Sequence, residues 1–502
     1  MASAKPQTER IMPLATEDAT KPTRLDAKIL EHLSDRVILK PLTRWNEAYK
    51  EFPRHVMEYL CARFVDPKDP LPGQQKIDRI LEEHYVESGK KELIKSRIRE
   101  QGEYTFLGQL SLSYDQRTDH YWADVPALGN SHVRVSERGK REFGDILLTT
   151  GAWGTMRIEF DGTYELQRKK YPFYIVEFTP FQVIRLSLED YVEKRQCFTT
   201  QEWIDLLMQT IGYNPYRLEE RVKQLLLIRL VPFVESNYNL IELGPRETGK
   251  TYMYKNTSPR AFVVSSGKST PATLFYHKAR KRVGILGVKD VVVFDEVARE
   301  GEGEPKFDTE TIDTLKMFMQ SGQYTRDNIE STSPCSVVLG GNINTDTAKR
   351  APVEDYSHLF APLPAELRHD TAFLDRIHAY LPGWEIPKIA PENYATGYGF
   401  ISDYLAEIFQ LLRRRNFQTH LVARIVFEGM TGRNQDAIQK TAAGLLKLLY
   451  PHRTPENIAP EELEFCLELA VEMRHRVTDQ LRVIAPKEFA HAAFAFHVNG
   501  RQ

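Results

Sequence analysis

Residues 241–255 read IELGPRETGKTYMYK, a short apolar run that turns abruptly into glycine and hydroxyl residues. The pattern fits G-x-x-x-x-G-K-[ST], with Gly244, Gly249, Lys250 and Thr251 at the fixed positions. A strand should deliver the loop and a helix should leave it. Two glycines let the backbone curl so that its N–H groups face phosphate oxygens. Lys250 would then neutralise the β- and γ-phosphates of a nucleoside triphosphate, and the Thr251 hydroxyl would ligate Mg2+. The nucleotide-binding stretch is therefore Gly244, Pro245, Arg246, Glu247, Thr248, Gly249, Lys250, Thr251 and Tyr252.

Such a loop needs an acid on a neighbouring buried strand. DVVVFDE (290–296) supplies it, with Val291 to Phe294 running straight into Asp295 and Glu296. Asp295 is expected to share the Mg2+ shell with Thr251, and Glu296 to polarise the attacking water. A third strand, CSVVLGGNIN (335–344), ends in an amide that could position that water. Asn342 is the first choice there and Asn344 the alternative. In AFLDRIHAYLPGWE (372–385), Arg376 stands behind an apolar pair, and its permanent charge suits transition-state stabilisation across a subunit boundary. MTGRNQDAIQK (430–440) places Arg433 at the start of a helix, where it could touch the γ-phosphate from above.

Around this centre the texture divides the chain. At 502 residues it is too long for one core. Residues 1–24 are polar and proline-bearing, and read as a flexible tail. The expected N-terminal domain, 25–190, is helical over 25–103, as in FPRHVMEYLCARFV (52–65). It becomes β-rich over 104–190, where alternation and turns indicate five or more strands in a small barrel or sandwich. From 191 to 387, strand and helix patterns alternate as in a parallel sheet covered on both faces. Beyond Tyr394 the chain reads as purely helical, a lid over 388–485 followed by a tail over 486–502.

Composition adds limits. Lys and Arg number 67 against 69 Asp and Glu, a net charge of −2 that decides nothing about nucleic acid. The four cysteines are far apart, which disfavours a zinc site or disulfide framework and suits the cytoplasm. The longest apolar run, QLLLIRLVPFV (224–234), is interrupted by Arg229 and too short to span a membrane.

The order of phosphate loop, acidic strand, Asn-ended strand, arginine and helical lid resembles an AAA+ ATPase. Within that superfamily, the stretch from Glu242 to Ala298 resembles the BrxL family, Lon-like AAA+ proteins of bacterial BREX antiphage systems. FTTQEWIDLLMQTIGYNP (198–215) and GLLKLLYPHRTPE (444–456) are similar to that family too. The resemblance implies an α/β AAA+ core with a helical lid, preceded by a helical and OB-like domain that binds DNA. It implies an MCM-like ring, a hexamer that could stack as a dodecamer, working on double-stranded DNA with other BREX proteins. Lys250, Thr251, Asp295, Glu296, Asn342 and Arg433 would then fall in one subunit's site, and Arg376 in its neighbour's. Longer members carry a Lon-type protease domain. VIAPKEFAHAAFAFHVNGRQ (483–502) is too short for one, so peptidase activity is not expected.

For DNA, local charge matters. Lys90, Lys91, Lys95, Arg97 and Arg99 form one cluster, and Arg134, Arg138, Lys140 and Arg141 a second. Arg168, Lys169 and Lys170 form a third, with Tyr121, Trp122 and Trp153 available for stacking if exposed. FMQSGQYTRDNIESTSPC (318–335) could form a hairpin in a ring's channel with Tyr324 and Arg326 at its tip, or an ordinary surface connection. Two other functions compete: a remodeller threading polypeptide through the pore, and a scaffold that uses ATP only to assemble.

Overall fold

The computed structural model describes residues 23–499 apart from 45–51, 86–89, 117, 138–139, 142–143, 145–146, 149–150, 182–185, 266–269, 278–281, 299–307, 327–328, 347 and 490–493. It divides into two compact units. Among the described residues the first comprises 42–181, and the second 23–41 with 186–499. Helix α1 (Arg24–Leu33) starts at a capping box between Thr23 and Asp26. It leads into β1 (Val37–Leu39). Both were expected with the N-terminal domain, yet β1 pairs antiparallel with Tyr398–Phe400 of the second unit. A three-residue strand carries too little pattern to announce so distant a partner.

The first unit contains α2 (Arg54–Phe64), α3 (Pro70–His84) and α4 (Lys91–Gln101). Five strands follow: β2 (Glu103–Asp115), β3 (His120–Val125), β4 (Asn130–Val135), β5 (Ala152–Phe160) and β6 (Phe173–Pro180). They close into a barrel in the order β2-β3-β4-β6-β5. Ala152, Met156 and Ile158 of β5 alternate into its core with Phe106, Leu110 and Val133. Ile94 and Ile98 of α4 pack into the same core.

In the second unit, α5 (Thr200–Ile211) and the largely buried α6 (Glu220–Val234) precede the central sheet. Its strands are β7 (Asn239–Gly244), β8 (Ala261–Ser265), β9 (Val291–Asp295), then β12 (Ser336–Asn342) and β13 (Ala379–Pro382). Between β9 and β12 lie α8 (Thr309–Ser321) and a hairpin, β10 (Gln323–Arg326) with β11 (Ile329–Thr332). Helix α7 (Lys250–Thr257) follows β7. The sheet order is β8-β9-β12-β7-β13 and every pairing is parallel. Val291 to Phe294 are buried throughout, as befits an interior parallel strand with both faces covered.

Two expectations change here. Strand β13 lies inside AFLDRIHAYLPGWE, where only an arginine was sought, because four residues ending in proline give almost no periodic signal. The region beyond Tyr394 is mostly helical, with α9 (Ser402–Arg413), α10 (Gly432–Leu449) and α11 (Pro460–Ile484). It also holds β14 (Tyr398–Phe400), and β15 (Ile425–Glu428) paired antiparallel with β16 (Ala495–Val498). The last of these lies in the stretch expected to be a tail.

Candidate nucleotide site

The loop between β7 and α7 turns through two left-handed residues, Glu247 at φ 68° and Gly249 at φ 74°. Glu247 lacks glycine's freedom, and its conformation is held from outside. Lys388 pairs with its carboxylate at 3.0 Å, and Ile389 N–H donates to its carbonyl at 2.9 Å. Gly249 is doubly constrained, since a Cβ there would stand 2.4 Å from the Tyr213 hydroxyl. Gly244 is required for a different reason: a Cβ would meet the Gly383 backbone at 2.5 Å. Arg246 and Tyr252 are exposed, whereas Thr248 is buried. Lys250 Nζ donates to the Pro245 carbonyl at 2.7 Å and the Gly244 carbonyl at 3.3 Å. Burial pushes its pKa down to about 8.

The acidic strand ends beside this loop. Thr251 Oγ1 donates to Asp295 Oδ2 at 2.5 Å, and Glu296 N–H donates to Asp295 Oδ1 at 3.0 Å. Glu296 itself adopts φ 57°, a costly conformation for a residue with a side chain and one that collects at functional sites. Asn342 closes β12 directly opposite Gly244 in register, and its N–H donates to the Ala298 carbonyl at 2.9 Å. Since β12 lies between β7 and β9, loop, acids and amide meet at the carboxyl ends of three neighbouring strands. Open parallel sheets bind ligands at this edge. Asn344 lies beyond the strand, exposed, its N–H donating to the Tyr356 hydroxyl at 3.2 Å. A hydroxyl and a carboxylate held this closely form an all-oxygen donor set, which fits Mg2+.

The arginines lie elsewhere. Asn239, the first residue of β7, donates its side-chain amide to the Arg376 carbonyl at 2.8 Å. Gly244 closes the same strand five positions on, roughly 17 Å away at the usual rise. Arg376 therefore stands at the opposite edge of the sheet from its own phosphate loop, donating to the Ala372 carbonyl and to Gln320 Oε1. Arg433 is found there too. It pairs with Asp375, whose other oxygen accepts from Arg474 at 2.6 Å. Burial chiefly, and next the Arg433 charge, lower the Arg376 pKa, so the two guanidiniums share one neighbourhood. This corrects the placing of Arg433 over its own subunit's γ-phosphate. Helix α10 runs with its first turns toward the strand starts: Asp436 faces His378 at 3.7 Å, and Lys440 donates to the Asn237 carbonyl.

Sequence reading gave no role to Arg229, Glu242 or Tyr213, which stand directly behind the phosphate loop. The one available signal was a charge inside an apolar run. Tyr324 is corrected as well. It is buried against Phe275 and Phe318 and donates to the Phe275 carbonyl at 3.3 Å, so it does not tip the hairpin. Arg326 is near Glu310 at 3.8 Å, and the turn at 327–328 lies outside the described residues.

In the first unit the basic clusters differ in availability. Arg134 is committed: it pairs with Asp161 at 3.0 Å, donates to the Tyr171 carbonyl and lies over the Tyr164 ring. Lys95 pairs with Glu92, and Lys140 pairs with Glu137 and covers the Tyr121 ring. Lys90, Lys91, Arg99, Arg141, Arg168, Lys169 and Lys170 are exposed, and Arg97 is exposed near the Tyr104 hydroxyl. Arg138 lies outside the described residues. Trp122 is buried and Trp153 half-buried, so the stacking role expected of Trp122 is not available to it. Among the described residues no helix is long and apolar enough to cross a membrane.

Comparison with known proteins adds independent findings. Residues 31–160 match the family model described as BREX system Lon protease-like protein BrxL N-terminal. Residues 173–495 match Lon-like protease BrxL-like, ATPase domain. The Lon-like protease BrxL of Bacillus cereus (strain H3081.97) is 37% identical over 476 residues, covering 94% of this chain and 69% of that protein. Its counterpart from Escherichia coli O9:H4 (strain HS) is 36% identical over 486 residues, covering 96% and 68%. Among solved structures, a full-length MCM homologue from Methanopyrus kandleri aligns with a TM-score of 0.41 at 16% identity, covering 75% of this chain and 78% of that one.

Proposed function

This chain belongs to the BrxL family, and on that premise we propose that it is an AAA+ ATPase whose subunits form a ring on double-stranded DNA in BREX antiphage defence. In this reading α10 and α11 are the lid, the closed barrel is OB-like, and the ring is a hexamer able to stack in pairs. The work takes place in the bacterial cytoplasm alongside other defence proteins. The observation that carries the reading is the separation of Arg376 and Arg433 from Lys250 along the length of β7. One copy offers a phosphate loop at one edge of its sheet and cations at the other, so a complete site needs a second copy.

The chemistry assigned to the site is ATP hydrolysis. Lys250 and the loop N–H groups would hold the phosphates, and Mg2+, when bound between Thr251 and Asp295, would offset their charge. Glu296 would accept the proton of a water that Asn342 orients toward the γ-phosphorus. The new P–O bond forms as the bond to the ADP oxygen breaks. The neighbour's Arg376 and Arg433 would stabilise the charge that develops. Both arginines are thus proposed to act in trans. On the DNA side, exposed Lys91, Arg97, Arg99 and Arg141 support contact with phosphates.

The test is ATPase activity with duplex DNA, with unfolded polypeptide, and with neither. DNA stimulation that fades with added salt is the expected result. Stimulation by unfolded polypeptide alone would instead establish a protein remodeller.

A further inference from the structure

Arg229 occupies α6 with its side chain completely buried, and Glu242 lies on β7 two positions before Gly244, also buried. The guanidinium meets the carboxylate with two bonds, Nε to Oε2 at 2.9 Å and Nη2 to Oε1 at 2.6 Å. Its remaining nitrogen, Nη1, donates to the Thr248 carbonyl at 3.0 Å. The Tyr213 hydroxyl donates to the same carbonyl at 3.4 Å. We propose that Arg229 is a positioning residue for the nucleotide: braced by Glu242, it grips the phosphate loop from behind and sets the loop's backbone for a nucleoside triphosphate. The inference rests on the ATP-binding reading above.

Two physical points support it. Stability alone gives little reason for the pair, because hydrophobic residues of similar volume commonly replace a buried ion pair without loss. What they could not replace is the directed bond to Thr248. The peptide between Thr248 and Gly249 is trans, as are all described peptides, so its N–H points opposite to its carbonyl. Fixing the carbonyl toward Arg229 turns the Gly249 N–H to the other side of the loop. Helix α6 thus sets the orientation of a donor it does not touch.

The test uses the full chain with the substitutions Arg229→Lys, Arg229→Met and the double R229M/E242L. ATP binding, KM and kcat are measured beside thermal melting and a Lys250→Ala control. The double variant is expected to melt close to the wild type yet bind ATP about tenfold to a hundredfold more weakly, as for loss of a charged hydrogen bond. R229K should recover part of the affinity. A double variant that folds and binds ATP with wild-type affinity overturns the proposal, as does one that cannot fold. If the wild type binds ATP no better than K250A, the ATP-binding reading itself falls, and this inference with it.

Discussion

Single side chains at the strand ends carry the sharpest expectations. Glu296→Gln should lower hydrolysis by at least about a hundredfold while ATP binding persists, since only the proton acceptor is lost. Equal loss of binding and hydrolysis would show that Glu296 merely shapes the turn. Lys250 makes a pH prediction. In the folded chain it releases its proton at about 8, against 10.5 ordinarily. Between those values the unfolded chain holds more protons, so this group's contribution to stability rises with pH across that window. Below pH 8 its cost is fully present. Denaturation of wild type and Lys250→Met from pH 7 to 10.5 should therefore show the gap between them changing only within that interval. Residue types at Gly249, Lys250, Thr251, Asp295 and Glu296 were legible because each is demanded by local chemistry at fixed spacing. Arg229 was not, because its partners lie on β7 and in the loop, 13 to 19 positions away in the chain.

Elements decide which edge of the sheet a residue serves. The connection 375–378 before β13 is clasped by both α10 and α11: Arg433 of α10 and Arg474 of α11 share Asp375, and Arg474 also donates to the Ile377 carbonyl. His378 completes the clasp. Burial pushes its pKa down to about 4, so its neutral ring accepts the Asn239 N–H at 2.8 Å. Asp375→Asn would leave the buried Arg474 guanidinium uncompensated, at a cost of about 3 kcal/mol. Urea titration should register that loss, and ATPase should fall with it because Arg376 is no longer held. An unchanged midpoint would mean the clasp is dispensable. The sheet's four longer strands were readable from their apolar runs. Strand β13 was hidden by its brevity, and the edge to which Arg433 belongs was hidden entirely, because a helix's direction across a sheet has no local signature.

At the scale of the whole molecule, trans catalysis makes a quantitative claim. Subunits bearing Lys250→Ala and subunits bearing Arg376→Ala should each be inactive alone. Mixed in equal amounts, about a quarter of interfaces would join an intact loop to an intact arginine, and activity should return to that extent. Absence of any recovery would place both groups in one subunit. For the first unit, reversing the charge of Arg97, Arg99 and Arg141 together should weaken duplex binding and flatten its salt dependence, measured by titration at several ionic strengths. Arg134 belongs outside that set because Asp161 and Tyr164 already hold it.

The sequence by itself determined that a phosphate loop, a paired acid and an asparagine-ended strand meet in a parallel sheet, since each follows from periodicity and spacing within one short segment. It also marked a small β-rich unit, barrel or sandwich, by alternation. Only the tertiary structure decided that Arg376 and Arg433 lie together at the edge remote from Lys250, that Tyr324 is core, and that Arg229 stands behind the loop. Those facts depend on how distant segments pack, and packing direction is a property of the assembled sheet and helices rather than of any one stretch of chain.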